Sequence, residues 1–164
     1  MERLSFRWSY IIAPLAILLL SIALSAYFYH LLPAEVAYHF EYDGTPDSWL
    51  SRGMFILIVL MLQLFLVLLA GGGVWVITKL SARFGQIESI RVKAERIVLL
   101  MGNLVALPQL IICFAMADIF SYNSYQTHIM PMWVFLLAFV GLATISMVIF
   151  LVYILSKVKG GHRG

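Results

Sequence analysis

The chain has 164 residues, 63% of them hydrophobic and only 12% charged, with a mean hydropathy of +0.97 and a formal net charge of +3. This excludes an ordinary water-soluble domain, which would carry charge on every exposed helix face. The single cysteine, Cys113, excludes an internal disulfide and a cysteine-based zinc site.

Four apolar runs are long enough to cross a bilayer, which takes roughly 20 helical residues at ~1.5 Å each. They lie near 8–29, 54–78, 97–117 and 132–155. The first has the outline of a secretory signal, with two arginines, an apolar core and Ala-Leu-Ser-Ala, but it is long for a signal core and is expected to be a retained span. The fold class expected is an all-α membrane protein, four transmembrane helices in a bundle forming one domain over 1–164.

The longest hydrophilic stretch, 33–52, hangs between the first two runs. Val36, Tyr38, Phe40 and Tyr42 alternate with Ala37, His39, Glu41 and Asp43, the period of a short strand with one apolar face. Asp43-Gly44-Thr45-Pro46 then turns the chain. Thr45 reads as a helix N-cap with Pro46 at the first helical position and Asp47 in the first turn. The loop as a whole is expected to be short, structured and hairpin-like.

Basic residues set the sidedness. Arg3 and Arg7 precede the first run, Lys79, Arg83, Arg91, Lys93 and Arg96 lie between the second and third, and Lys157, Lys159 and Arg163 follow the fourth. Ten of the eleven therefore share one face, and only Arg52 falls on the other. Positive residues stay inside, so both termini and the middle loop are expected in the cytoplasm of a cell (inner) membrane. The same placement accounts for the pI near 9.1 as a topological signal and a contact for anionic headgroups, not as a nucleic-acid surface. In the middle loop Gly85 is expected to end a helix, and Ile87, Ile90, Ala94 and Ile97 repeat at helical spacing. The second outer loop is read as 118–131, DIFSYNSYQTHIMP, with Tyr122, Tyr125 and Trp133 as interfacial anchors.

No Asp, Glu, Lys, Arg or His is expected deep in a span, where one costs about 2.5–3.5 kcal/mol and usually marks function. That argues against a proton-coupled transporter, a voltage sensor, an ion pore or a bis-haem cytochrome. The intramembrane polar residues are the amides Gln63, Asn103 and Gln109, read as interhelical glue. Pro108 is expected to kink the third span and free a carbonyl. Ser21 and Ser25 form a small-xxx-small pair, and Gly71-Gly72-Gly73 permits close backbone approach within the fold or by a partner subunit.

On the outer side His30, His39, Asp43, Asp47, Asp118 and His128 collect imidazoles and carboxylates. His39, Asp43, Asp47 and His128 are the weak candidates for a metal site, but no HExxH or comparable pair supports one, and no metal or other cofactor is expected. A histidine beside carboxylates could titrate near neutral pH instead. No nucleophile motif supports Ser/His/Asp chemistry, and no catalytic residue is assigned.

Leu32-Pro33, Val36, His39-Phe40, Gly44, Pro46-Asp47, Trp49 and Ser51-Arg52 fit a spaced pattern. Leu-Pro is followed by an apolar residue, His with an aromatic, then Gly-x-x-Asp-x-aromatic-x-Ser-basic. In this the stretch resembles the bacterial and archaeal membrane family catalogued as domain of unknown function 1648, a module also found in immunity proteins for the sporulation-delaying toxin of bacilli. The resemblance covers about 10–60, and no likeness is evident beyond Leu60. It implies a membrane-seated cap in which His39 and Asp47 clasp across the turn while Trp49 and Arg52 seat the loop at the headgroups.

The function expected is that of a multi-pass, non-enzymatic membrane protein with a recognition, regulatory or immunity-type role. The recognition residues would be His39, Phe40, Gly44, Pro46, Asp47, Trp49 and Arg52. The alternative is a small accessory or scaffold subunit of a larger membrane complex, in which Ser21, Ser25, Gln63, Gly72, Asn103 and Gln109 matter more. The partners expected are the lipid bilayer and another membrane protein or a second copy of the chain.

Overall fold

The computed structural model describes residues 7–41, 44–84, 98–131 and 133–141. A 3-10 turn, Trp8–Ile11, leads into α1, Ile12–Phe28. Strands β1, Glu35–Phe40, and β2, Pro46–Ser51, follow, and then α2, Arg52–Phe84. A helical segment over 98–104 (α3) is separated by a turn at Val105 from α4, Ala106–Tyr125. These elements belong to one compact unit, Met1–Ile129; a second, Met130–Gly164, contains a helix over 133–141 (α5). In α5 the Pro131 carbonyl accepts the amides of Val134 and Phe135, and Phe135 stacks on Phe139 one turn along. The rest of the run expected over 132–155, and Gly85, Ile87, Ile90, Ala94 and Ile97, lie outside the described residues.

Among the described residues three helical stretches are long and apolar enough to cross a membrane: Trp8–Phe28, Arg52–Lys79 and Val98–Tyr125, of 21, 28 and 28 residues. Their outward faces carry the same message. Along α2, Leu57, Ile58, Met61, Leu64, Phe65, Leu68 and Leu69 are exposed while Gln63 is fully buried. That is the reverse of a helix on a water-soluble protein, and it suits hydrocarbon outside and a protein neighbour inside.

α1 packs against both α2 and α4, and the contacts form three apolar clusters. Tyr10, Ile11, Ala70, Val74 and Val98 make one. Ile17, Ala106 and Cys113 make the second. Leu32, Val36, Phe55, Met116 and Phe120 make the third, which joins the helices to β1. In the first cluster a Cβ at Gly102 would fall on the main-chain oxygen of Tyr10, so the glycine is what lets α3 lie against the 3-10 turn.

The third span breaks where Pro108 leads one to expect a kink, and it departs from expectation at its far end. Pro108 has no N–H to give the carbonyl of Leu104, and the helix breaks at Val105 for that reason. Its far end continues to Tyr125 instead of stopping near 117. Asp118, Ser121 and Asn123 are therefore helical, not loop residues, because each polar side chain has a protein partner there. Hydropathy alone ends a span at its first acid.

Gln63 and Gln109, both fully buried, join α2 to α4 reciprocally. Gln63 Nε2–H donates to the Gln109 main-chain oxygen at 3.1 Å, and Gln109 Nε2–H donates to that of Gln63 at 3.2 Å. Neither Oε1 has a hydrogen-bond partner among the described residues. Ser21 and Ser25 are buried on α1, where Ser25 Oγ–H donates to Met116 Sδ at 3.8 Å, whereas Gly72 is exposed with open space around it.

Two outcomes are expected. Replacing Gln63 by Leu should lower stability in mixed micelles by ~0.6–2 kcal/mol, and adding Gln109→Leu should cost less than the second single change alone, since the two amides form one unit. Gly102→Ala should destabilise by about 1–3 kcal/mol through overpacking against Tyr10, read as a lower unfolding midpoint.

Candidate functional site

The stretch 33–52 is an antiparallel hairpin whose ladder matches Glu35 with Ser51, Val36 with Leu50, Ala37 with Trp49, His39 with Ser48 and Phe40 with Pro46. Bulges interrupt the register on either side of His39. The turn is closed by Glu41 N–H donating to the Thr45 oxygen at 2.9 Å and Gly44 N–H to the Glu41 oxygen at 3.0 Å, with Gly44 at φ +85°. Tyr42 and Asp43, at the tip, lie outside the described residues.

The helix start expected at Thr45-Pro46 is a strand. Glu41 and Thr45 form a hydrogen-bonded position, so the next pair, Phe40 with Pro46, is one at which main-chain groups point out of the ladder. Proline loses nothing there and serves as the first residue of an edge strand. The helical start falls instead at Arg52.

Three polar devices hold the hairpin. His39 Nδ1 and Asp47 Oδ1 are 2.7 Å apart, the clasp across the turn expected from the sequence; the carboxylate only accepts, so Nδ1 carries the hydrogen. That hydrogen bond is the largest effect on the Asp47 carboxyl; burial, the next, opposes it, and the charge of His39 and the Ser48 hydroxyl help keep the carboxyl below its ordinary value of 3.8.

The second device is Asn123 on α4. Its Oδ1 accepts the Ala37 amide and its Nδ2–H donates to the Ala37 oxygen, both at 2.8 Å, so one side-chain amide does the work of a neighbouring strand on the outer edge of β1. The third is Arg52. Its Nη1 donates to the main-chain oxygens of Tyr29 at 2.9 Å and Leu32 at 3.1 Å, with the guanidinium 4.3 Å over the Tyr29 ring. A helix end leaves carbonyls without partners, and a cation at that end satisfies them.

A second histidine–carboxylate pair sits beside the first without joining it. Asp118 is 8% exposed; its Oδ2 is 2.8 Å from His128 Nδ1, and its Oδ1 accepts the Ile129 amide at 2.7 Å. Ser121 Oγ–H donates to the Thr127 oxygen at 2.7 Å, and Gln126 takes φ +55°, so the chain folds back over the end of α4. His128 stacks on Tyr122 with ring centres 4.7 Å apart, and Phe40 of β1 meets both rings edge-on.

Of the residues expected to act in recognition, His39, Asp47 and Trp49 present exposed side chains. Phe40 is half-buried against α4, while Gly44, Pro46 and Arg52 shape the hairpin. Of the weak metal candidates His39 and Asp47 come together, His128 pairs with Asp118 instead, and Asp43 lies outside the described residues. Among the described residues no three of His, Cys, Asp and Glu converge. Asn123, Tyr122 and the Asp118–His128 pair are the parts that sequence reasoning missed. The clue available was the clustering of Asp118, Ser121, Asn123 and His128 at one span end.

No curated protein and no solved structure matches the chain. Residues 16–62 match the family model described as a domain of unknown function (DUF1648), a match running from within α1 through both strands into α2. The part of the chain similar to that family is therefore the hairpin with the end of α1 and the start of α2, under half of the 164 residues.

Proposed function

We propose that this chain is a multi-pass, non-enzymatic membrane protein that holds the 33–52 hairpin at the outer face of a cell membrane as a recognition surface. The observation that carries this reading is the bracing of the hairpin. Asn123 fixes β1 to α4, Arg52 fixes the end of β2 to the end of α1, and the His39–Asp47 clasp closes the turn. A surface held this way loses little conformational entropy on binding, which is what recognition of a partner requires. Tyr38, His39, Asp47 and Trp49 are exposed on it.

Ten of eleven basic residues lie on the opposite side of the apolar runs, which supports a cytoplasmic middle loop and termini under the positive-inside rule. We take the run 132–155 as a fourth span and the whole as one four-helix bundle in the inner membrane. The accessory-subunit reading has one observation in its favour: Gly72 and Gly73 on α2 are exposed with open space around them, as a close-packing partner helix would need.

The test is gentle extraction and identification of co-purifying proteins from cells carrying the native chain, His39→Ala with Asp47→Ala, or Gly72→Leu. Loss of a partner only with the hairpin pair supports recognition; loss only with Gly72→Leu supports the subunit reading. A cysteine at Ser48 that labels only from the cytosol overturns both the orientation and the recognition role.

The clasp also has a defined pH dependence. Asp47 is more acidic in the folded hairpin than when free, so its contribution is complete above 3.8 and is lost as pH falls further and the carboxyl protonates. In a carbon-13 titration its midpoint should lie below 3.8, and His39→Ala should move it back up.

A further inference from the structure

The two edges of the hairpin are treated differently. The bond from Arg52 N–H to the Ala34 oxygen, 2.9 Å, fixes the parity of the ladder. Val36 with Leu50 is a hydrogen-bonded pair, whereas Ala37 with Trp49 and Glu35 with Ser51 turn their main-chain groups outward. On β1 the outward N–H and C=O of Ala37 are both taken by Asn123. On β2 the outward groups are the N–H and C=O of Trp49 and the N–H of Ser51; the Ser51 carbonyl serves the first turn of α2. Within the unit Met1–Ile129 no described residue is hydrogen-bonded to those three. A row of donor, acceptor and donor is therefore open where the opposite edge is closed by a side chain that mimics a strand.

Carboxylates outnumber bases around that edge, with the His39 imidazole engaged by Asp47. Glu35, Glu41 and Asp47 are exposed, and the one Lys or Arg of the 33–52 stretch, Arg52, is committed to the carbonyls of Tyr29 and Leu32. Trp49, 53% exposed, offers an aromatic face that a cationic side chain can cover.

We propose that the open edge of β2 at Trp49 and Ser51 receives an extended, cationic segment of a partner protein as a third strand. One residue of the segment exchanges two main-chain bonds with Trp49, and the carbonyl of a residue two positions along accepts from Ser51 N–H. Lysine or arginine side chains of the segment meet Glu35 and Asp47. This rests on the hairpin being the recognition surface and specifies how it recognises.

The full chain in phosphatidylcholine nanodiscs is titrated with a labelled eight-residue peptide of alternating lysine and valine, with empty nanodiscs as the blank. Binding is expected, with slowed exchange of the Trp49 and Ser51 amides. It should weaken at least tenfold when the peptide is N-methylated throughout, which leaves the protein untouched. Ser51→Pro, which removes the outward N–H without taking a donor from the β1–β2 ladder, and Glu35→Lys should each weaken it several-fold. Four results overturn the proposal: no binding of the lysine–valine peptide, equal binding of the methylated peptide, equal binding of a glutamate–valine peptide, or a dimer of the chain that Ser51→Pro dissolves. If the methylated peptide binds equally and binding is lost in His39→Ala with Asp47→Ala, strand addition fails while the recognition reading stands.

Discussion

Main-chain groups that find no partner within their own element govern how this chain is put together. In a hydrocarbon environment such a group costs several kcal/mol, and water is not there to take it. The amide of Ala13 in the first turn of α1 is accepted by Asn103 Oδ1 at 3.1 Å, a cap supplied from α3, 90 positions away. At the other end of α1, Arg52 takes the carbonyls of Tyr29 and Leu32. The outer edge of β1 is closed by Asn123, and the buried side-chain amides of Gln63 and Gln109 likewise turn to each other's main chain. In each case a side chain reaches another element's backbone, and tertiary structure follows from secondary structure's open ends.

The hairpin comes from the longest hydrophilic stretch of the chain. Its apolar face, Val36 with Leu50, joins the cluster of Phe55, Met116 and Phe120. Its other face keeps Trp49 and the His39–Asp47 pair outward. Burial and bracing on one side are what allow a fixed pattern of imidazole, carboxylate and indole on the other. The Asp118–His128 pair plays a different part, tying down the chain where it folds back over α4, and the hairpin meets it through Phe40.

How much of this could be read from the residues depends on the range of the forces involved. The apolar runs, the turn at Gly44, the break at Pro108 and the meeting of His39 with Asp47 follow from local chemistry, and all are visible in the sequence. Thr45-Pro46-Asp47 carries a helix-start signature, but pairing with β1 outweighed it, since Phe40 sits opposite Pro46. The end of the third span was misplaced because Asp118 reads as a solvent residue until His128 and Ile129 are seen to satisfy it. Asn123 and Arg52 were beyond reach for the same reason. Their partners are main-chain atoms 86 positions distant for Asn123 and 20 and 23 for Arg52, and main-chain atoms leave no mark in a sequence.

The double bond between Asn123 and Ala37 has a mechanical corollary. A partner tugging on β1 loads α4 directly, through two parallel contacts 2.8 Å long, instead of spending the pull on slack loop. That helix begins at Ala106, and the turn at Val105, three residues short of Pro108, separates it from the helical stretch before it. Force arriving at the surface is thus delivered to a built-in hinge line, with the stretch over 98–104 on its far side.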